Sequence, residues 1–243
     1  MQKITRFFGV LTIVAVTLGG CAHSGKMSQG GTEMAQVPVT ESPSGEIYAG
    51  KFIWHDLVTP DIQLAGKFYE KLFGWTIEYK QNYAVVRNGD KLIAGILNVE
   101  PAAGETRDAV WIPTVSVADV DATVKLVEAN GGKVRFKPVD LEKRGRAALI
   151  SDPQQADLVL LNAKGGDPSE AEAAIGDWLW DEIWTHDPKT TEQFYRNVLG
   201  YDEVVAAEAY SIFMKKGKWR AGIRHAKDDN EHMLWVPVVR VAD

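Results

Sequence analysis

Residues 52–57, Phe-Ile-Trp-His-Asp-Leu, return in altered form at 178–183 as Trp-Leu-Trp-Asp-Glu-Ile, and the fold is read from that pair. Phe68-Tyr69 follows Trp54 at the same distance at which Phe194-Tyr195 follows Trp180. Leu72-Phe73-Gly74 and Val198-Leu199-Gly200 come next, each with an aromatic behind it, Trp75 or Tyr201. Ala94-Gly95-Ile96 matches Ala221-Gly222-Ile223, and the stretch from Trp111 to Asp119 matches the stretch from Trp235 to Asp243. The offset is 126 residues between Trp54 and Trp180 and 124 between Trp111 and Trp235. Spacing held this closely marks an internal duplication. Two tandem domains are expected, residues 48–165 and 176–243. The second copy stops at the partner of Asp119, so it is expected to be incomplete, with the chain read as a fragment or its missing half supplied by another chain.

Local patterns give the layout of one copy. Phe52–Val58 alternates and is rich in β-formers, which predicts a strand. Thr59-Pro60-Asp61 opens a helix on which Leu64, Phe68, Leu72 and Phe73 recur at helical spacing, and Gly74 ends it. Short strands follow at Thr76–Tyr79, Tyr83–Arg87 and Lys91–Leu97, the last two joined by Asn88-Gly89. The order repeats as a strand at Trp111–Val117, a helix at Val120–Asn130 and strands near Val134–Pro138, Ala147–Ser151 and Leu158–Leu161. The fold class is therefore α+β, with two βαβββ modules per domain.

The N-terminus reads as an address. Lys3 and Arg6 precede an apolar run, Phe7–Leu18, too short to span a bilayer, and then Gly19-Gly20-Cys21. Residues 1–20 are expected to be a lipoprotein signal peptide, since Leu18-Gly19-Gly20-Cys21 resembles a bacterial lipobox. Cys21, the one cysteine of the chain, would carry the acyl chains that anchor the protein to a membrane. Ala22 behind it suggests the outer membrane, facing the periplasm. Residues 21–47 are rich in Ser, Gly, Thr, Glu and Pro and are expected to be a flexible tether. With 27 basic against 33 acidic side chains and a net charge of −6, no basic stripe offers itself to nucleic acid.

The motifs together resemble the vicinal oxygen chelate superfamily, which includes glyoxalase I, extradiol dioxygenases and bleomycin resistance proteins. The resemblance rests on Trp54-His55-Asp56-Leu57 with Thr59-Pro60-Asp61, Phe68-Tyr69 with Leu72-Phe73-Gly74-Trp75, Val117–Ala122, Gly131-Gly132-Lys133-Val134, Gly145-Arg146-Ala147 and Asp152-Pro153-Gln154. It implies paired modules whose mixed sheets curl around a ligand cavity. It also implies where metal ligands would stand: Trp54 and Trp180 on first strands, Ile112 or Trp111 on strand five, and Val159 on the last strand. None of these side chains binds a metal, so no cofactor is expected. His55, next to Trp54, enters the cavity only if the register shifts, and is the one weak metal candidate. His186, His225 and His232 read as loop residues. No nucleophile elbow or P-loop is present.

The cavity candidates are then Trp54, Asp56, Trp111, Trp180, Glu182 and Trp235. The tryptophans would stack on a planar or cationic ligand, or simply fill the space. Asp56 and Glu182 would do acid–base work or make salt bridges at the module seam. Lys143, Arg144 and Arg146 read as a solvated hairpin, or as a guard for an anionic ligand. The expected function is metal-free binding of a small molecule, with a metal-dependent lyase, isomerase or dioxygenase as the alternative. A homodimer through the incomplete second domain is the expected protein partner.

Overall fold

The computed structural model describes residues 29–101, 108–207, 210–226 and 233–242. The signal peptide, Cys21 and His232 lie outside the described residues. Helix α1 (Gln29–Ala35) comes first. The first module is β1 (Phe52–Thr59), α2 (Ile62–Phe73), β2 (Thr76–Tyr79), β3 (Tyr83–Asn88) and β4 (Lys91–Asn98). The second is β5 (Val110–Ser116), α3 (Val120–Ala129), β6 (Lys133–Leu141), β7 (Gly145–Ser151) and β8 (Asp157–Ala163). The third is β9 (Trp178–Thr185), α4 (Pro188–Leu199), β10 (Glu203–Ala207), β11 (Tyr210–Lys215) and β12 (Lys218–His225), followed by β13 (Leu234–Val239).

Helices α2, α3 and α4 start alike because each begins with an aspartate whose carboxylate takes an orphan amide of the first turn. Asp61 accepts from the Leu64 amide at 2.8 Å, Asp119 from Ala122 at 2.9 Å and Asp187 from Thr190 at 3.1 Å. Gly74 and Gly200 close α2 and α4 at φ of 71° and 67°, where a side chain would be strained.

One sheet of eight strands runs β2-β3-β4-β1-β5-β8-β7-β6, and a second of five runs β10-β11-β12-β9-β13. The duplication extends to the pairing. β1 lies parallel to β4 and antiparallel to β5, and β9 lies parallel to β12 and antiparallel to β13. Even the register shift in β3 after Val86 has its counterpart in β11 after Phe213.

The helix-bearing faces of the two sheets meet. Val120, Val124 and Val127 of α3, with Ile150, Leu158 and Leu160 below them, form one apolar cluster with Phe194, Tyr195, Val198 and Leu199 of α4 and with Phe213, Ile223 and Trp235. Helix α2 has no such cover. Leu64, Phe68 and Leu72 are 68%, 56% and 54% exposed, although their repeat counterparts Phe194 and Val198 are buried.

The expected flexible tether over residues 21–47 is corrected from residue 29 onward. Ala35, Val37 and Val39 are buried against Trp54, Tyr83, Leu97 and Leu161, on the concave face of the large sheet. The composition is poor in large side chains, but these small apolar ones fit a concavity that the sheet already provides. The Lys143 amide donates to the Ala35 carbonyl at 2.9 Å and the Asn82 amide to Glu33 at 2.8 Å, which ties the segment down at both rims.

Candidate functional site

Alternation along β1 divides its side chains between two sites. Trp54 and Asp56 face the bowl of the eight-stranded sheet. His55 faces the other way, toward the second sheet.

In the bowl, Asp56 accepts from the Tyr83 hydroxyl at 2.7 Å and from Arg144 Nη1 at 2.8 Å. Arg144 Nη2 donates to the Tyr83 hydroxyl at 2.8 Å, closing a three-membered set. Its guanidinium carbon lies 5.0 Å from the Trp54 ring centroid. The expectation of a solvated hairpin is therefore corrected for Arg144, which is 3% exposed. The curl of the sheet lays the β6–β7 hairpin over β1, and burial against Asp56 replaces the water that the guanidinium loses. Burial holds the Tyr83 phenol protonated far above its usual range, so it remains a donor to Asp56. Gly95 makes the room, since a Cβ there would meet the Tyr83 hydroxyl at 1.7 Å.

Two polar atoms of the bowl have no partner. Trp54 and Thr114 are cross-strand neighbours, and the Trp54 indole nitrogen and the Thr114 hydroxyl are both buried and unsatisfied. Such orphans are uncommon in native proteins. The fourth contact of Arg144 comes from the N-terminal segment, whose Val37 carbonyl accepts from Nε at 3.2 Å.

The metal expected of relatives does not fit this donor set. Ile112 sits at the end of the bowl with Val58 and Leu149, with Val159 packed against them. Asp56, the bowl's carboxylate, is already held by a guanidinium. Among the described residues no three His, Cys, Asp or Glu side chains gather to hold an ion. His55 adds nothing to such a set: its Nε2 sits 2.7 Å from Asp181 Oδ1, and its ring lies 4.2 Å from that of Trp178.

The tryptophan pairs separate. Trp54 and Trp180 are on the faces away from the helices. Trp111 and Trp235, expected in the cavity, are corrected to the helix side. Trp111 donates to the Tyr69 hydroxyl at 2.7 Å, and Trp235 to the Tyr195 hydroxyl at 3.0 Å. Alternation alone decides this, because Ile112 is the bowl-facing residue of β5. In the second sheet Trp180 donates to the Tyr210 hydroxyl at 2.6 Å, and Glu182 accepts from the Trp184 indole at 2.7 Å. Gly222 makes way for Tyr210 as Gly95 does for Tyr83. On that face the Arg224 guanidinium carbon lies 3.9 Å from the centroid of the Trp184 ring.

The comparisons agree with this geometry. Residues 51–160 match the model of the Glyoxalase/Bleomycin resistance protein/Dioxygenase superfamily. CFP32 of Mycobacterium bovis, which carries a provisional glyoxylase name, is 31% identical over 181 residues, covering 70% of this chain and 68% of its own. The anthracycline biosynthesis protein DauV of a Streptomyces species is 30% identical over 163 residues, covering 60% of this chain and 59% of its own. A Mn(II)-bound glyoxalase from Novosphingobium aromaticivorans superposes with a TM-score of 0.56 at 16% identity, over 73% of this chain and 62% of that one. An extradiol ring-cleaving dioxygenase from B. fuscum does so at 0.52 and 14% identity, over 78% of this chain and 57% of that one. This chain thus spans about three-fifths of those solved chains, and at such identities the likeness is one of fold. The duplicated modules, the curled sheet and these matches place the chain in the glyoxalase/bleomycin resistance protein/dioxygenase superfamily, to which it belongs.

Proposed function

We propose that this protein is a lipid-anchored binder of a small molecule, working without a metal, whose ligand occupies the bowl at Trp54, Asp56, Tyr83, Thr114 and Arg144. The observation that carries the reading is the pair of orphaned donors, Trp54 Nε1 and Thr114 Oγ1, in the bowl that also holds a buried guanidinium. A ligand oxygen would satisfy them, and the Val37 carbonyl on Arg144 Nε stands where such an oxygen would be accepted. The ligand class is thus a small molecule with a carbonyl or carboxylate oxygen and an unsaturated body to lie against Trp54. Residues 29–39 fill the bowl in this structure, so the ligand must displace them. The anchor would be Cys21, in the bacterial cell envelope and on the outer membrane facing the periplasm.

The test begins with cell fractionation. The full chain is expected with membranes and its Cys21→Ser variant in the soluble fraction. The soluble variant is then titrated with aromatic carboxylates while tryptophan emission is followed. Saturable binding is expected, lost with Thr114→Val and Arg144→Lys and strengthened about tenfold or more when residues 29–39 are removed. Binding indifferent to all three changes would sink the reading. One tightly held divalent ion per chain after metal loading would instead favour the metal-dependent lyase, isomerase or dioxygenase.

A further inference from the structure

The bowl is not the only concavity. Where the starts of β1 and β9 adjoin lies a second cavity of about 760 Å³, within the range of small-ligand sites. Its walls are the start of β1, the β3–β4 turn, the starts of β9 and β12, and two crossing segments, 39–42 and 168–173.

Its polar groups are unusual in their accounting. His55 and Arg220 both line the cavity. His55 Nδ1 and Arg220 Nε are both buried and have no partner. The other contacts of these side chains are settled. His55 Nε2 meets Asp181 Oδ1 at 2.7 Å, and in the neutral tautomer that donates Nε2–H to this carboxylate Nδ1 is an acceptor. Arg220 Nη1 meets Glu170 at 2.5 Å, so its charge is answered while Nε–H is not. Lys51 is spent on the carbonyls of Pro168 and Ser169, at 2.9 and 3.0 Å. Lys91 is spent on Asp177 at 2.6 Å. The carboxylates of Glu41, Asp90, Glu170, Glu172 and Asp181 outnumber Lys51, Lys91 and Arg220 around its walls, which disfavours an anion. Besides the two orphaned nitrogens the cavity offers indole surface: Trp178 lies against His55, and Trp180 meets Trp219 edge-on at 6.4 Å. Trp219 is 64% exposed, which leaves much of its surface open to solvent.

We infer that this cavity is a second ligand site, for a neutral aromatic molecule bearing a hydroxyl and a carbonyl. Neither nitrogen meets water in this structure, so the ligand displaces the side chains that enclose them; its hydroxyl then donates to His55 Nδ1, its carbonyl accepts from Arg220 Nε, and its rings lie against Trp180 and Trp219. The site is distinct from the polar set of the bowl, since Asp56, Tyr83, Thr114 and Arg144 do not line it, although Val39, Ile53 and Leu92 border both.

The probe is 4-hydroxybenzophenone, which has this chemistry and is also a photolabel. The full chain is titrated with it and with 4-methoxybenzophenone, which keeps the shape and carbonyl but has no hydroxyl to donate. The methoxy compound is expected to bind about tenfold more weakly. Trp219→Ala, at an exposed position, and Arg220→Lys, which retains a cation for Glu170 but has no Nε, are each expected to weaken the hydroxy compound by a similar factor. Irradiation is expected to label peptides containing residues 178–181 or 219–220. Equal affinity for the two probes, labelling of bowl peptides, no binding, or binding that survives both substitutions overturns the inference. Loss of bowl binding in Thr114→Val leaves these outcomes unchanged, so the two sites stand or fall separately.

Discussion

Asp56 and Arg144 meet where water does not reach, and the pair cannot be valued by its Coulomb attraction alone. Removing one partner would strand the other's charge, a cost of about 3–5 kcal/mol. Asp152 is a different case, since it is buried without a cation. Its Oδ1 accepts from the Gln154 and Ala156 amides, and its Oδ2 from the Tyr195 hydroxyl of α4 at 3.1 Å. Desolvation wins over these bonds and raises its pKa to about 6. The folded state therefore holds this proton more tightly than the unfolded chain, and stability from Asp152 is lost as pH rises from about 4 through 6. Urea titrations at pH 4 and 7 should show the wild type losing about 2 kcal/mol more than Asp152→Asn over that interval. Equal losses would mean that Asp152 is ionised throughout. The residues legible in sequence were those that recur: Trp54 with Trp180, Asp56 with Glu182. Arg144 was not legible, because its place depends on the curl that carries a hairpin across the sheet. The one local sign of it was Gly145, whose φ of 116° and contact with the Asn162 carbonyl admit no side chain.

At the scale of elements, local chemistry was informative. Aspartate caps, closing glycines and alternating β-formers put every strand of the first two modules where the pattern predicted it, within a few residues. Segment 29–39 was invisible, because its order comes from a surface made by distant strands, not from its own propensities. The faces of Trp111 and Trp235 turned on a single register step. The duplicated glycines offer a test at this level. Gly95 and Gly222 both sit beneath a tyrosine, at 1.7 and 1.9 Å from the position a Cβ would take. Tyr83 is fully buried and has no room to move, whereas Tyr210 lies on the open face of the second sheet. Gly95→Ala should cost about 1–3 kcal/mol of overpacking in chemical denaturation, and Gly222→Ala clearly less. Equal losses would show that Tyr210 is held as firmly as Tyr83.

Across the whole molecule, unequal cover is the informative feature. The α2 stripe of Leu64, Phe68 and Leu72 is exposed, and the outer edge of β13 has no strand partner among the described residues, although its counterpart β5 pairs with β8. Exposed apolar surface of this kind marks an interface. We propose a second copy of the chain as its cover. Sedimentation should find a dimer at micromolar concentration, reduced to monomer by Phe68→Glu. A monomer throughout would remove the proposal. The cluster joining α3 to α4 bears on a different property. It draws about equally on residues before and after the join between the two copies, and Asp152 and Tyr195 clasp hands across it. The unit that was duplicated is therefore not the unit that packs. The second and third modules share one interior across the join, whereas the bowl around Trp54 is closed by the first copy and the segment before it. When the second copy opens, the first loses the α3 side of its interior and keeps the bowl.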